Sequence, residues 1–119
     1  MLGFGLYRVC FLDPDDQGRV IKVPRNQQGI DDNITELGFT LHPHPEIQIP
    51  RFEWAGGQWT PFMALRAERV KRIFPEPRNA FTPEDALTKL GLPEWTYSID
   101  ARQIGYTADG RLVAFDMGR

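Results

Sequence analysis

The sequence predicts an α+β domain: an antiparallel sheet of about five strands, with one main packing helix and a second short helix. Ten prolines and eleven glycines among 119 residues favour short elements joined by turns over a helix bundle. β-branched and aromatic segments bounded by turn residues recur along the chain, and two segments have helical spacing or helix-end signals. The length suits one domain, residues 1–119, and is too short for two.

The predicted strands are segments rich in β-branched and aromatic residues that end at glycine, proline or aspartate. Pro24 ends the second strand because proline has no amide hydrogen for the ladder. Asp109-Gly110 is expected to close the last hairpin as a two-residue turn with positive φ at both positions. The strands cover residues 6–12, 19–23, 47–54 and 59–65 and the hairpin of residues 104–118.

The main helix is predicted over residues 31–41, because an apolar stripe recurs at helical spacing. We define the apolar stripe as Ile30, Ile34, Leu37 and Leu41 and expect it to face the core. Gly38, inside this helix, is expected to allow close packing, since glycine there costs up to ~1 kcal/mol relative to alanine.

The second helix is predicted over residues 82–90, with Thr82 as N-cap and Gly91 as the left-handed C-terminal residue. Together with the strand pattern, the two helices predict these core residues: Val9, Phe11, Val20, Ile34, Leu37, Leu41, Phe62, Leu87, Leu90, Val113 and Phe115.

Composition excludes several classes of function. A net charge of −2 does not favour broad electrostatic binding to nucleic acid or to an anionic membrane. The single cysteine, Cys10, rules out an intramolecular disulfide and fits a reducing compartment. No apolar run approaches the ~20 residues of a membrane span, and the first residues lack the regions of a signal peptide. A cytoplasmic protein is expected.

Few residues are candidates for chemistry. Asp116 stands at the end of an apolar strand, where an acid is either a metal or nucleotide ligand or a solvated strand end. His42 and His44 have the i, i+2 spacing of some metal ligands, but Glu46 is the one nearby carboxylate, and metal sites normally need three or four ligands. No metal site is predicted.

Three residues in order along the chain carry a resemblance. Lys22 lies on a strand, Glu36 follows on a helix, and Asp116-Met-Gly118 follows a late hairpin. This arrangement resembles the protein-kinase-like fold, in particular short, truncated kinase-like sequences of bacteria and phages that lack the C-terminal helical half. Lys22 matches the strand lysine, Glu36 its helix partner, and Asp116-Met-Gly118 the Asp-Phe-Gly element. Residues 47–54 and 61–65 match the two sheet strands before the hinge.

The resemblance also implies what is missing. If Gln103 stands at the catalytic-loop asparagine, the catalytic base falls on Ser98; if Asp100 is the base, Gly105 takes the asparagine position. Neither alignment supplies both the carboxylate base and the asparagine, and serine or glutamine cannot act as a carboxylate base. The glycine loop is also incomplete, with Arg8 in place of its third glycine.

The printed chain ends at Arg119, so the activation segment and the helical half that carries substrate are expected to be absent. The resemblance therefore implies a catalytically inactive, pseudokinase-like binding module without a cofactor, which acts through a protein partner. One role that the resemblance suggests is that of a phage-type inhibitor of a host enzyme or defence complex.

Two alternatives stay open. One is a small phosphotransferase that binds ATP and magnesium through Lys22, Glu36 and Asp116. The other is an ordinary α+β domain in which Lys22 and Asp116 are surface groups. For a partner-binding surface, the sequence indicates Trp59, Arg66 and Arg69, because tryptophan and arginine dominate interface hot spots. Oligomeric state and partner identity are not predicted.

Overall fold

The computed structural model describes residues 3–4, 7–73, 90–98 and 103–115. They form an α+β fold with two antiparallel sheets, one α-helix and two short 3-10 helices. No helix in these ranges is long and apolar enough to span a membrane. The helix α1 is Gln27–Leu41, and the 3-10 helices are Gly57–Phe62 and Glu94–Ser98. The strands are β1 (Gly3–Phe4), β2 (Arg8–Leu12), β3 (Arg19–Pro24), β4 (Phe52–Trp54), β5 (Leu65–Glu68), β6 (Val70–Arg72), β7 (Ile104–Thr107) and β8 (Leu112–Ala114).

The larger sheet has the strand order β1-β2-β3-β5-β4, with the two-residue β1 at one edge. The predicted N-terminal hairpin is confirmed as β2 and β3, which pair antiparallel with Cys10 opposite Lys22. The strands do not form the single sheet expected from the sequence. β7 and β8 pair instead with β6 in a separate three-stranded sheet.

Helix α1 starts earlier than predicted because Asn26 caps it. The Asn26 side chain accepts a hydrogen bond from the Gly29 amide at 3.0 Å, which satisfies one of the free donors at the helix start. The helix ends at His42, whose amide donates to the Gly38 carbonyl at 2.8 Å. One helix of 15 residues therefore spans the larger sheet.

The predicted buried face of α1 is wrong. Ile34 and Leu41 are 50% and 66% exposed, whereas Leu37 is partly buried and packs against the core. The buried residues of the helix are Gly29, Asp32, Asn33 and Glu36. The helix is rotated about its axis so that polar groups meet the sheet, and the exposed part of the apolar stripe lies on its flank.

The glycine that allows close packing is also a different one. A Cβ on Gly38 would meet nothing within 4 Å, so this position faces open space. A Cβ on Gly29 would collide with the carbonyl oxygen of Tyr7 and lie 3.1 Å from Pro24. Gly29 therefore sets how closely the first turn of α1 approaches the end of the sheet.

Apolar side chains pack on both faces of the larger sheet. Under α1 the core consists of Val20, Phe52, Leu65 and Ala67; on the opposite face it consists of Ile21, Ala55 and Ala64. Phe11 and Trp59 pack against this second group, so the 3-10 helix Gly57–Phe62 covers the face that α1 leaves open.

The strand predicted over residues 59–65 is this 3-10 helix followed by β5. Gly56 and Gly57 have φ of 64° and 53°, and Met63 takes φ of 53°, so the backbone turns sharply at both ends of the segment. Pro61 lies inside it and cannot donate to a sheet ladder. The strand predicted over residues 47–54 shortens to β4.

The smaller sheet packs around its own core of Ile104 and Ala114, which Trp95 contacts. The segment before β4 runs beside β8, because the Ala114 amide donates to the Gln48 carbonyl at 2.8 Å. Gly105 of β7 passes close to the backbone of Lys71, where a Cβ would not fit.

The closing hairpin is confirmed, but its turn differs from the prediction. Gly110 has φ of 84°, and Asp109 is not among the positive-φ residues. The Gly110 amide donates to the Thr107 carbonyl at 3.0 Å, and the Thr107 amide donates to the Arg111 carbonyl at 2.9 Å. This is a three-residue loop with glycine in the left-handed position, the next most common hairpin after the two-residue type.

Glu68 joins the two sheets. Its carboxylate accepts hydrogen bonds from the Arg51 amide at 2.7 Å and from the Arg111 guanidinium on the hairpin of the smaller sheet. The Glu68 amide donates to the Arg51 carbonyl at 3.2 Å, and the Arg69 amide donates to Gly18 at 2.8 Å. The last residue of β5 is therefore bonded to the loop before β4 and to the β7–β8 hairpin.

The core predictions have mixed outcomes. Val20 and Val113 are buried, while Val9, Phe11, Leu37 and Phe115 are partly buried. The four exposed exceptions are Ile34, Leu41, Phe62 and Leu90. Leu87 and the helix predicted over residues 82–90 lie outside the described residues, apart from Leu90 in a turn.

Candidate functional site

A buried cluster of charged and polar side chains lies between α1 and the larger sheet. We call it the polar cluster and define it as Arg8 of β2, Lys22 of β3, and Asn33 and Glu36 of α1. Arg8 and Lys22 point to the same face because alternate residues of antiparallel neighbours share a face, and α1 covers that face. The Gly29 contact brings the helix near enough for its side chains to reach both strands.

Glu36 is the centre of the polar cluster. Its side chain is 1% exposed, and its carboxylate binds two cations. One oxygen, Oε1, accepts from the Arg8 guanidinium and from Lys22 Nζ at 3.2 Å, and the other, Oε2, accepts from Lys22 Nζ at 2.8 Å. A buried carboxylate is tolerated when it is paired and hydrogen-bonded in this way, since an uncompensated charge there is strongly destabilising.

Asn33 completes the polar cluster and is fully buried. Its Oδ1 accepts from Arg8 at 3.2 Å, and its Nδ2 donates to the carbonyls of Lys22 at 3.1 Å and Met63 at 3.0 Å. The same amide therefore bonds to β3 and to Met63, two residues before β5. These bonds fix the rotation of α1, because turning the helix toward its apolar stripe would break them.

Lys22 is the member of the polar cluster with most access to solvent. Its side chain is 15% exposed, compared with 5% for Arg8. The ammonium also lies 5.5 Å from the centroid of the Phe52 ring, within the range of a cation–π interaction. The Lys22 ammonium is chemically able to bind an anion at the edge of α1 while it stays paired with Glu36.

The geometry can be compared with the predicted site residues. Lys22 and Glu36 are brought together as an ion pair at 2.8 Å. Asp116 lies outside the described residues, so its predicted proximity to the pair stays a prediction. Ser98 ends a 3-10 helix, and the Gln103 carbonyl accepts a hydrogen bond from the Phe115 amide at 2.8 Å.

The three residues predicted to bind a partner lie on different structural features. Trp59 is partly buried, with its ring centroid 6.2 Å from that of Phe11. Arg69 is exposed. Arg66 donates to Asp13 at 2.8 Å and to Glu53 at 3.3 Å. Partial burial opposes the charged form of Arg66, but these two hydrogen bonds outweigh it and raise the pKa of the guanidinium.

The sequence predicts no metal site at His42 and His44, because too few further ligands are nearby. In the structure, the His44 side chain has a different role, in a turn. His44 Nδ1 accepts hydrogen bonds from the amides of Glu46 and Ile47, each at 3.0 Å. His44 thus holds the turn that follows α1. In the described ranges, no three His, Cys, Asp or Glu side chains are grouped closely enough to hold a metal ion.

An open cleft of about 460 Å³ lies where the β2–β3 turn, the edge of the larger sheet and the closing hairpin meet. Several of its charged groups pair with one another: Arg19 binds Glu53 at 2.7 Å and Asp16 at 3.3 Å, and Arg66 binds Glu53 at 3.3 Å. Because acids and bases alternate along its walls, the cleft favours neither an anion nor a cation.

Sequence reasoning missed Arg8 and Asn33. Arg8 is the one charged residue in the segment Leu6-Tyr-Arg-Val-Cys-Phe-Leu12, and a charge in a strand of this composition is a signal of a buried partner. Gly29, Asn33 and Glu36 recur at helical spacing, which marks a second face on α1 made of small and polar residues. Read together, these two patterns indicate a polar helix–sheet interface.

No protein-family model, curated protein or solved structure matches the chain. The candidate site is therefore interpreted from its own residues and from the resemblance drawn on Lys22, Glu36 and Asp116.

Proposed function

We propose that this chain is a catalytically inactive, kinase-like binding module that acts through contact with another protein. The observation that carries the proposal is the rotation of helix α1 about its axis. Its buried residues are small or polar and Leu37 is its partly buried leucine, whereas the apolar Ile34 and Leu41 face solvent. Exposed apolar side chains on one flank of a helix are typical of a surface that another protein covers.

The kinase-like part of the proposal is supported by the ion pair of Lys22 and Glu36. The strand order β1-β2-β3-β5-β4, with α1 between β3 and β4 in the chain, is the arrangement that we propose as a reduced kinase-like sheet. Inactivity is supported by the sequence, since Ser98 and Gln103 supply no carboxylate base. Inhibition of a host enzyme or defence complex stays a prediction from the resemblance.

Affinity capture with the full chain tests the proposal. We expect the same partner to be recovered in replicate captures from a host lysate, and the complex to form again from the two purified proteins. Asp116→Asn, which would remove a metal ligand, is expected to leave the capture unchanged. If replicate captures recover no common protein, the proposal is refuted.

A second candidate function is ATP and magnesium binding through Lys22, Glu36 and Asp116. The observation in its favour is that Lys22 combines an ion pair to Glu36 with partial access to solvent. Titration calorimetry with ATP and magnesium tests it directly. A heat of binding at millimolar nucleotide that Asp116→Asn abolishes supports this function, and no heat from the wild type refutes it. Stability of a Lys22 variant does not discriminate, because Lys22 also bonds the buried Glu36.

A further inference from the structure

We propose that the exposed part of the apolar stripe, centred on Ile34 and Leu41, is a docking site for an amphipathic helix of a partner protein that carries basic residues beside its apolar seam. The proposal rests on the proposed function and names the chemical class of the partner. It combines three features of α1: two exposed apolar residues two turns apart, an open position at Gly38 between them, and one exposed acid, Asp31, in a helix without a basic residue.

The shape of this surface favours a helix as the occupant. Ile34 and Leu41 are exposed and lie seven positions apart, two turns along one side of α1, which is a spacing at which one helix packs against another. Gly38 lies between Ile34 and Leu41 with open space above it, so a second helix axis can approach closely there. An added strand is a poorer fit, because β4 has three residues and the Phe52 amide already donates to Thr40.

The position of the stripe is set by the contacts of α1. Asn33 reaches Met63 and Thr40 reaches Phe52, which places this row of the helix against the larger sheet. Ile34 and Leu41 each follow one of these two residues, so they lie on the flank beside that row and away from the buried Glu36. Met63 adds a further exposed side chain next to Asn33.

The charge of this surface favours a partner helix that has basic flanks. Helix α1 contains three acids and no lysine, arginine or histidine. Two of the acids are buried, and the third, Asp31, is exposed and three residues before Ile34, which makes them neighbours on the helix surface. Asp31 is bonded to the uncharged Gln27 amide at 3.0 Å. A basic flank on the partner complements this border, whereas a second copy of this chain, with net charge −2, brings like charge to it.

The test uses two synthetic helical peptides and the full chain. Both peptides carry leucines at i, i+4 and i+7; one has lysines on the flanks and the other has glutamates at the same positions. Fluorescence polarisation is expected to show binding of the lysine peptide, weakened about tenfold by Ile34→Gln or Leu41→Gln, which remove part of one buried apolar side chain. Asp31→Asn is expected to weaken it about threefold and to reduce its dependence on salt.

Phe62→Gln is the matched control, since Phe62 is also an exposed apolar residue and belongs to the 3-10 helix on the opposite face of the larger sheet. It is expected to leave the Kd unchanged. Equal binding of the glutamate peptide, equal loss in the Phe62 variant, or no binding of the lysine peptide overturns the proposal. So does sedimentation that shows self-association abolished by Leu41→Gln, because the occupant is then a second copy. Captured partners that bind the Ile34 and Leu41 variants as tightly as the wild type refute this docking site and leave the proposed function intact.

Discussion

Replacing Glu36 by glutamine is the sharpest test of the polar cluster. The substitution keeps the shape of the side chain and removes the negative charge that Arg8 and Lys22 both contact. Because the carboxylate is 1% exposed, solvent cannot replace it as a counter-charge. Removing one partner of a buried ion pair costs about 3–5 kcal/mol, which is a large share of the roughly 5–15 kcal/mol that stabilises a domain.

The chain contains a matched control for this substitution. Glu53 also bonds two cations, Arg19 at 2.7 Å and Arg66 at 3.3 Å, but its side chain is 54% exposed. Exposed ion pairs contribute about 0–1 kcal/mol, so Glu53→Gln is expected to change the free energy of unfolding little. Urea denaturation followed by tryptophan fluorescence measures both variants at the same pH. Equal losses in the free energy of unfolding for Glu36→Gln and Glu53→Gln would refute the assignment of Glu36 as a buried carboxylate shared by two cations.

Three further predictions concern helix packing and the closing hairpin. Alanine at Gly38 should raise the free energy of unfolding by up to ~1 kcal/mol, because the position is open and alanine is the better helix former. Alanine at Gly29 should lower it by about 1–3 kcal/mol, because the added Cβ collides with the end of the sheet. Melting temperatures of the two variants that shift in the same direction would contradict the assigned helix face. Leu37→Ala should cost about 2 kcal/mol, the low end for a core leucine, since Leu37 is partly buried, and an unchanged urea midpoint would exclude its contact with the core. The hydrogen bond from Thr107 holds the pKa of Asp109 below its ordinary value. The stability that this bond contributes is therefore present above about pH 4 and is lost as the pH falls through the lowered pKa. A curve of stability against pH for Asp109→Asn should lie below that of the wild type at neutral pH and meet it in acid.

The parts of the fold that the sequence predicts correctly depend on local chemistry. The β2–β3 hairpin follows from β-branched strands around a polar turn, and the closing hairpin follows from Asp109-Gly110. Both signals lie within a few residues of the elements they specify. The length of the second loop differs from the prediction, because Thr107 and Arg111 pair across three residues instead of two.

The face of α1 could not be predicted from the spacing of its apolar residues. Hydrophobic periodicity assumes that the apolar side of a helix is the buried side. Here the buried side is decided by Arg8 and Lys22, which are 28 and 14 positions from Glu36 in the sequence. The resemblance predicted Lys22 and Glu36 as partners, and these two side chains form an ion pair, but it gave no role to Arg8.

The strand expected over residues 59–65 fails for a related reason. Trp59 and Phe62 belong to residue types common in strands, yet Pro61 and the positive φ of Gly56 and Gly57 direct the chain into a 3-10 helix. The aromatic ring that this segment supplies packs on Phe11, so the segment covers the sheet face without joining it.

The bonds of Glu68 have a consequence for how the chain unfolds. Since one carboxylate holds both the loop before β4 and the hairpin beyond β7, the two sheets are expected to open as one cooperative unit. Amides of β7 and of β3 should then show similar protection in native-state hydrogen exchange. Shortening the chain before the closing hairpin would remove Arg111 and loosen the larger sheet at the same time. A partner surface on this protein is therefore mapped by single substitutions and not by deletion.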